Sequence, residues 1–204
     1  MRAWIYDRFL LPLTTGWYRE VLERVPEGAR MLDVGIGTAG ALVGNADLVR
    51  KKDLRVVGVD IDADYIRRAQ VHLDKHELDD RVSVVHESIY DHADGPYDAI
   101  YFAASFMLMP DPPAILRHCY GLLTPDGRVY FTQTFHNQKS KMAEVVKPML
   151  KRVTTIDFGT VSYESDFMEI VHEAGFHIDE MTTISTSGNR SYRVVVGQPA
   201  PLPL

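Results

Sequence analysis

Three glycines in the first quarter of the chain form a pattern that suits a nucleotide-binding turn. Gly35, Gly37 and Gly40 follow the apolar segment 30–34 and open a segment of helical character. Glycine has no β-carbon, so the backbone can approach a ligand closely, and a helix N-terminus favours a negatively charged group. The spacing predicts a ligand-binding loop; a tight strand-to-helix turn without a ligand is the simpler alternative.

Two carboxylates accompany this loop and narrow the class of ligand. Asp60 ends the second apolar segment, 20 positions after Gly40, where a carboxylate can accept both hydroxyls of a ribose. Asp33 stands two positions before Gly35, where its charge would repel the pyrophosphate of a dinucleotide and attract an ammonium group. The pair favours an adenosine-bearing ligand with an amino group over a nicotinamide or flavin dinucleotide.

The same residues resemble the first motif of the class I S-adenosylmethionine-dependent methyltransferases of small-molecule type. That motif is an acidic residue, one further residue and a glycine-rich loop, which here reads Asp33-Val-Gly35-Ile-Gly37-Thr-Ala-Gly40. The resemblance covers residues 31–196 and extends to Asp60, the apolar strand after Tyr97-Asp98, the turn 122–127 and a final hairpin. It implies an enzyme that binds S-adenosyl-L-methionine, methylates a small-molecule acceptor and releases S-adenosyl-L-homocysteine.

The resemblance also implies which residues contact the cofactor. The three glycines line its methionine part, Asp33 lies near the amino group, and Asp60 holds the ribose. Ile61 packs on the adenine, and Ser88 with Ile89 stands where the family often has an aspartate and an apolar neighbour; Glu87 is the alternative to Ser88. The predicted cofactor-binding residues are Asp33, Gly35, Gly37, Gly40, Asp60, Ile61, Ser88, Ile89 and Ala103.

The sequence contains fewer signals for the binding site of the methyl acceptor than for that of the cofactor. Ligands of an open parallel sheet gather at the carboxyl ends of its central strands, which directs attention to residues 103–111. This segment lacks the Asn-Pro-Pro-Tyr or Asp-Pro-Pro-Tyr of enzymes that methylate adenine or glutamine amides, so base methylation is disfavoured. Methyl transfer depends mainly on placing the acceptor and excluding water, so a general base is optional. His136 and Tyr6 are the candidate catalytic bases; an exposed loop histidine and a packing residue are the alternatives.

Positioning these residues requires alternating strands and helices. The sequence predicts an α/β fold with a Rossmann-like doubly wound sheet of seven strands, mostly parallel with a C-terminal antiparallel hairpin. The predicted strands are 30–34, 55–60, 82–87, 97–103, 128–134, 176–184 and 192–196. The predicted helices are 39–49, 63–75, 113–122, 139–152 and 165–174, preceded over 4–24 by two short helices that Pro12 and Gly16 interrupt.

The chain of 204 residues is expected to form a single domain. Residues 1–25 are predicted to be a helical appendage that covers the cofactor as a lid, residues 30–197 the Rossmann-like core, and residues 198–204 a surface tail. A helix packed on the sheet edge and a segment that meets lipid are the alternatives for the appendage.

A basic stretch is either a solvated helix face or a surface for an acidic small molecule or lipid headgroup. It consists of Lys139, Lys141, Lys147, Lys151 and Arg152.

Charge and composition disfavour several classes of partner. The formal net charge of −6 has the wrong sign for attraction to a phosphate backbone, so no nucleic-acid partner is expected. A single cysteine, Cys119, and no signal-peptide pattern over residues 1–13 indicate a cytoplasmic protein without disulfides. No metal is predicted, because His72 and His76, a pair at ligand spacing, lie on a polar helix end.

Other functions compete with a small-molecule methyltransferase. A phospholipid-headgroup methyltransferase would use the aromatic appendage and the basic stretch at a membrane surface, a less favoured partner. A non-catalytic, cofactor-binding subunit agrees with the absence of basic side chains in residues 103–109, and an NAD-dependent oxidoreductase agrees with the glycine spacing but not with Asp33. Arsenite methylation is disfavoured because its thiol chemistry requires several cysteines. The acceptor atom and the oligomeric state are left open.

Overall fold

Seven strands form one sheet in the part of the chain that the computed structural model describes, residues 11–137 and 163–200. They are β1 (Arg30–Val34), β2 (Arg55–Asp60), β3 (Val82–His86), β4 (Tyr97–Ala103), β5 (Leu123–His136), β6 (Phe176–Ser187) and β7 (Arg190–Pro199). Their order is β3-β2-β1-β4-β5-β7-β6; β1 to β5 are parallel, and β7 runs antiparallel to β5 and β6. The predicted doubly wound sheet with its C-terminal hairpin is confirmed.

Helices cover both faces of this sheet. They are α1 (Leu11–Arg24), α2 (Gly40–Val43), α3 (Ala46–Lys51), α4 (Ala63–Lys75), α5 (Pro112–Leu122) and α6 (Glu164–Glu173). Val21 and the buried side chains of α2, α3 and α4 share a hydrophobic cluster with Met31, whereas Phe167 and the buried side chains of α5 share another with Leu32. Because side chains alternate along a strand, Asp33 faces the same side as Met31, toward α1.

The chain changes direction within the sheet between β1 and β4. From β1 it proceeds outward through β2 to β3, and it then crosses to β4 on the other side of β1. In open α/β sheets, ligands bind at the carboxyl ends of the strands on either side of such a switch point. Residues 35–40, after β1, and residues 104–111, after β4, leave the sheet at this place.

The segment α1 is one helix where the sequence predicted an interruption. The helix continues through Gly16 because Tyr18 and Leu22 are buried against the sheet and hold it there. Pro12 lies in the first turn, where a helix has no hydrogen bond to lose. Part of the predicted appendage is therefore a core helix; residues 1–10 lie outside the described part of the chain.

The predicted helix 39–49 is divided into α2 and α3. Asn45 lies between them and is buried, and its Nδ2 donates to the carbonyls of Thr15 and Ala41, both at 2.9 Å. The bond to Thr15 ties the break to α1, which is distant in sequence. Apolar spacing within residues 39–49 contains no signal for such a contact.

The hairpin strands and β5 are longer than predicted. β5 begins at Leu123, inside the predicted turn 122–127. β7 extends to Pro199, which pairs with Phe176 of β6. The first two residues of the predicted tail 198–204 therefore belong to the sheet, because their backbones complete its antiparallel ladder.

Candidate functional site

The glycine loop leaves β1 and turns across the end of β2. Gly35 and Gly37 have φ values of 79° and 60°, in the left-handed region that favours glycine. The Gly35 N–H donates to the Val59 carbonyl at 2.8 Å, which fixes the loop to β2. A β-carbon at Gly35 would lie 3.0 Å from Cβ of Ser105, whereas one at Gly37 would meet no described atom within 4 Å. The loop is packed at its start and open at Gly37, ahead of Gly40, which begins α2.

Asp33 is a buried carboxylate just before this loop. The Tyr18 hydroxyl donates to its Oδ2 at 2.8 Å, and its Oδ1 is buried without a hydrogen-bond partner in the described residues. Burial raises the pKa of Asp33 to about 7; the Tyr18 hydrogen bond opposes this rise, and the charge of Asp60 adds to it. A buried carboxylate oxygen without a partner is suited to receive a positively charged donor such as an ammonium group.

Asp60 lies at the end of β2, beside the same loop. Its Oδ2 accepts from the Gly37 N–H at 3.0 Å, and its Oδ1 accepts from the Asp62 N–H at 2.9 Å. Burial raises the pKa of Asp60, and these backbone donors oppose the rise. The next residue, Ile61, is 74% exposed. An apolar side chain of this size in solvent, next to a fixed carboxylate, can cover one face of a planar ring.

The turn after β3 contains Glu87 and Ser88, the two alternatives for an adenine contact. Glu87 Oε1 contacts Nδ1 of the buried His92, whose Nε2 lies 2.8 Å from the Tyr97 hydroxyl, so this carboxylate oxygen is engaged within the protein. Ser88 Oγ accepts from the Tyr90 N–H at 3.3 Å. The backbone N–H of Glu87 donates to the Asp60 carbonyl at 3.1 Å, which brings this turn next to Asp60.

Ile89 completes this turn on its buried side. Its side chain is 6% exposed and belongs to the same hydrophobic cluster as Val59 of β2. The structure therefore brings together the predicted residues of the glycine loop, the end of β2 and the end of β3. A ligand with an ammonium group, a ribose and an adenine would find a partner for each along this edge of the sheet.

The segment after β4 contributes a residue that the sequence analysis missed. Ala103 ends β4, and the following Ala104 has a φ of 55° and donates its N–H to the Thr132 carbonyl at 2.9 Å. This turn directs Ser105 back to β1, where its Oγ donates to the Val34 carbonyl at 2.7 Å. Ser105 thus packs against the glycine loop. The small residues at 103–105 were visible in the sequence, but their contact with β1 was not.

The two candidate bases are placed differently. His136 is half-buried at the carboxyl end of β5, and its ring meets that of Tyr163 at 6.4 Å between centroids, edge to face. β5 is separated from β1 by β4, so His136 ends a strand two positions from β1, on the β4 side of the switch point. Tyr6 and the basic stretch at 139–152, which includes a predicted helix, fall outside the described residues.

The described residues hold few other reactive groups. In residues 11–137 and 163–200, no three or more His, Cys, Asp or Glu side chains are grouped to hold a metal ion. His72 Nδ1 lies 2.9 Å from the Thr38 carbonyl. Cys119 is buried, and burial raises the pKa of its thiol to about 12, so it is not a nucleophile near neutral pH. Over the same ranges, no helix combines the length and apolar character needed to cross a membrane.

Comparison with known proteins gives one family and many relatives. A family described as a methyltransferase domain matches residues 26–175. A ubiquinone biosynthesis O-methyltransferase of Bordetella bronchiseptica is 31% identical over 160 residues, which are 76% of this chain and 62% of that protein. One from Acinetobacter baylyi is 27% identical over 84% of this chain and 72% of that protein. The chain thus spans less than two thirds of the first relative.

The fold is shared with solved structures at lower identity. The geranyl diphosphate C-methyltransferase of Streptomyces coelicolor A3(2), solved with Mg²⁺, geranyl diphosphate and S-adenosyl-L-homocysteine, superposes with a TM-score of 0.71. The match covers 93% of this chain and 77% of that one, with 13% identity. At this identity the similarity shows the fold alone.

Proposed function

Because this chain belongs to the class I S-adenosylmethionine-dependent methyltransferases, we propose that it transfers a methyl group from S-adenosyl-L-methionine to a small-molecule acceptor. The observation that carries the proposal is the Oδ1 of Asp33 beside the glycine loop, which is buried and has no hydrogen-bond partner among the described residues. An oxygen in this state destabilises the free protein, and an ammonium donor would relieve that cost.

The residues present fit each part of this cofactor. Asp33 would accept from the ammonium group, and the open space at Gly37 would leave room for the methionine chain. Asp60 would accept from the ribose hydroxyls in addition to its backbone donors. Ile61 would pack on one face of the adenine, with Ser88 and Ile89 at its edge. Gly40, at the start of α2, and Ala103, at the end of β4, would complete the proposed contacts.

A dinucleotide fits the same residues poorly. The pyrophosphate of NAD binds at the glycine loop in dinucleotide-binding folds, and here that loop follows the carboxylate of Asp33. The charges of the pyrophosphate and of the Asp33 carboxylate would repel each other, and the low dielectric of a buried site would strengthen the repulsion. This argues against the NAD-dependent oxidoreductase alternative.

The chain's own contribution to catalysis is placement and exclusion of water. When bound, S-adenosylmethionine supplies a methyl group that an acceptor displaces in line from a positively charged sulfonium. The buried side chains of α1 close one side of Asp33 to solvent. The segment 104–111 after β4 would form the acceptor side. His136 is proposed as a base for acceptors that must lose a proton. His136→Gln would then lower kcat and leave cofactor affinity unchanged; a normal kcat would remove His136 from this role.

A small molecule with an oxygen nucleophile is the acceptor class that the relatives support best. The Bordetella and Acinetobacter relatives are named as O-methyltransferases. The net charge of −6 argues against a nucleic acid. Arsenite chemistry requires available thiols, and Cys119 is buried. The phospholipid alternative depends on residues 1–10 and 138–162, which lie outside the described part of the chain.

Calorimetric titration with S-adenosylmethionine, S-adenosylhomocysteine and NAD tests the cofactor. The proposal predicts binding of both adenosyl ligands and none of NAD, and binding of NAD with neither adenosyl ligand would overturn it. Release of S-adenosylhomocysteine in the presence of small hydroxylated aromatic and aliphatic acceptors then tests the reaction. A protein that binds the cofactor but methylates none of a broad panel would favour the non-catalytic subunit.

A further inference from the structure

Tyr18 connects α1 to the carboxylate that precedes the glycine loop. Its side chain is 3% exposed, and its hydroxyl donates to Asp33 Oδ2 at 2.8 Å across a separation of 15 residues in sequence. Its ring packs edge to face on Tyr101 of β4, with centroids 4.9 Å apart at 81°. The hydroxyl is therefore held at the carboxylate by packing as well as by the hydrogen bond.

We propose that Tyr18 is a positioning residue for the cofactor's amino group, acting through Asp33. By occupying Oδ2, the tyrosine hydroxyl fixes the plane of the carboxylate and leaves Oδ1 for the ammonium. The proposal rests on the proposed function, because it requires that the ligand of Asp33 carries a positive charge.

The surroundings of Asp33 explain why a donor is needed there. Among the residues that the structure describes, the ionisable groups that act on it are Tyr18 from α1, Tyr101 from β4 and Asp60 from β2. The Tyr101 hydroxyl is 3.0 Å from Thr132 Oγ1, so it is engaged within the sheet. Asp60 carries a negative charge and disfavours ionisation of Asp33. Tyr18 is the group among these that stabilises the ionised carboxylate, the form that binds a cation.

The position of Tyr18 also links cofactor binding to the docking of α1. Trp17, the preceding residue, packs on Tyr192 of β7 with ring centroids 5.5 Å apart. The two adjacent aromatic side chains fasten the helix to the sheet at separate strands. A cofactor that strengthens the charge on Asp33 would strengthen its hydrogen bond to Tyr18 and hence hold α1 more firmly.

The test compares two ligands that differ in the amino-acid part. S-adenosylhomocysteine has the ammonium group, whereas 5′-methylthioadenosine keeps the adenosine and sulfur and lacks it. Tyr18→Phe should weaken S-adenosylhomocysteine binding by about tenfold near pH 7, because loss of the hydroxyl raises the pKa of Asp33 further and leaves less of the ionised carboxylate that accepts the ammonium. It should change methylthioadenosine binding less than about twofold, because that ligand makes no use of Asp33.

A matched control is available in the same core. Tyr130→Phe removes another buried tyrosine hydroxyl from the same hydrophobic cluster, and the charges that act on Tyr130 include Arg128 and Glu180, not Asp33. This variant should bind both ligands normally. In an Asp33→Asn background, Tyr18→Phe should have no further effect on S-adenosylhomocysteine, because the tyrosine acts through the carboxylate.

Each outcome decides the proposal. Equal weakening of both ligands by Tyr18→Phe would show a merely structural role, and unchanged S-adenosylhomocysteine affinity would show no role; either overturns the proposal. Binding of neither ligand by the unaltered protein would instead contradict the proposed function.

If Tyr18→Phe does not fold, carbon NMR of tyrosines labelled at Cζ in the unaltered protein replaces it. The Tyr18 signal should move on addition of S-adenosylhomocysteine but not methylthioadenosine, and identical responses would overturn the proposal.

Discussion

Asp60 and Gly37 are joined by a hydrogen bond of 3.0 Å from the backbone N–H of the glycine to Oδ2 of the carboxylate. The other oxygen, Oδ1, accepts from the N–H of Asp62 at 2.9 Å. The carboxylate thus connects the glycine loop after β1 to the turn after β2. A ribose that binds here meets a carboxylate whose position is already fixed, which lowers the entropic cost of binding.

Removing this carboxylate should affect cofactor binding strongly. Asp60→Ala is expected to weaken S-adenosylhomocysteine binding by about 100-fold or more, because each hydrogen bond to a charged group contributes about 1.5–3 kcal/mol. Calorimetry measures the loss. Asp64→Ala, which removes an exposed carboxylate paired with Arg67 in the first turn of α4, is the control and should bind normally. Normal affinity in Asp60→Ala would mean that the ribose binds elsewhere.

Cofactor affinity should depend on pH through Asp33. Its pKa of about 7 means that the free protein holds a protonated, neutral Asp33 at pH 6 and an ionised one at pH 8. Because the ionised form accepts the ammonium, S-adenosylhomocysteine should bind about tenfold more tightly at pH 8 than at pH 6. Methylthioadenosine is the control ligand and should show a flat profile. A flat profile for both ligands would contradict the role assigned to Asp33.

Asp33 should also reduce the stability of the free protein. The pKa of this carboxyl is raised on folding, from near 4 in the unfolded chain to about 7. Its contribution to the free energy of unfolding is therefore fully present below pH 4 and is lost as the pH rises to about 7. Asp33→Asn keeps a neutral group at every pH and should therefore be more stable than the unaltered protein at pH 8, by about 1 to 4 kcal/mol, and similar to it at pH 4. Urea unfolding at the two pH values measures the difference. A variant that is less stable than the unaltered protein at pH 8 would contradict the claim that the buried, ionised carboxylate of Asp33 destabilises the free protein.

Ile61 offers a test of the adenine position that leaves the fold intact. The side chain is 74% exposed, so Ile61→Ala should hardly change the free energy of unfolding. It should weaken S-adenosylhomocysteine binding about threefold to tenfold, because apolar area buried against the ring is lost. Val71, 63% exposed on α4, supplies the control variant Val71→Ala. Equal affinities in both variants would place the adenine away from Ile61.

Much of the fold and the cofactor edge follow from local sequence patterns. The loop at Gly35 and Gly37 and the carboxylate at Asp60 were predicted because strand, turn and helix follow one another along the chain. Each of these elements has its own residue pattern. The same holds for the C-terminal hairpin, whose apolar strands flank a glycine-containing turn. Residues that act within a few positions of each other are visible to this kind of reasoning.

Contacts between distant segments were not visible. Tyr18 was predicted to belong to a lid, yet it is a core residue whose hydroxyl reaches Asp33. Ser105 meets Val34 across 71 positions, and Asn45 breaks a predicted helix through a bond to Thr15 in another helix. These side chains are placed by tertiary packing, so no spacing within their own segments predicts their partners.

A crystal structure of the protein with S-adenosylhomocysteine tests the assignment of the site most directly. We expect the ammonium nitrogen within hydrogen-bond distance of Asp33 Oδ1, the ribose hydroxyls on Asp60, and the adenine against Ile61. Tyr18 should keep its bond to Asp33 Oδ2. A ligand bound with its amino group away from Asp33, or a phosphate-bearing nucleotide seated on the glycine loop, would contradict the assignment.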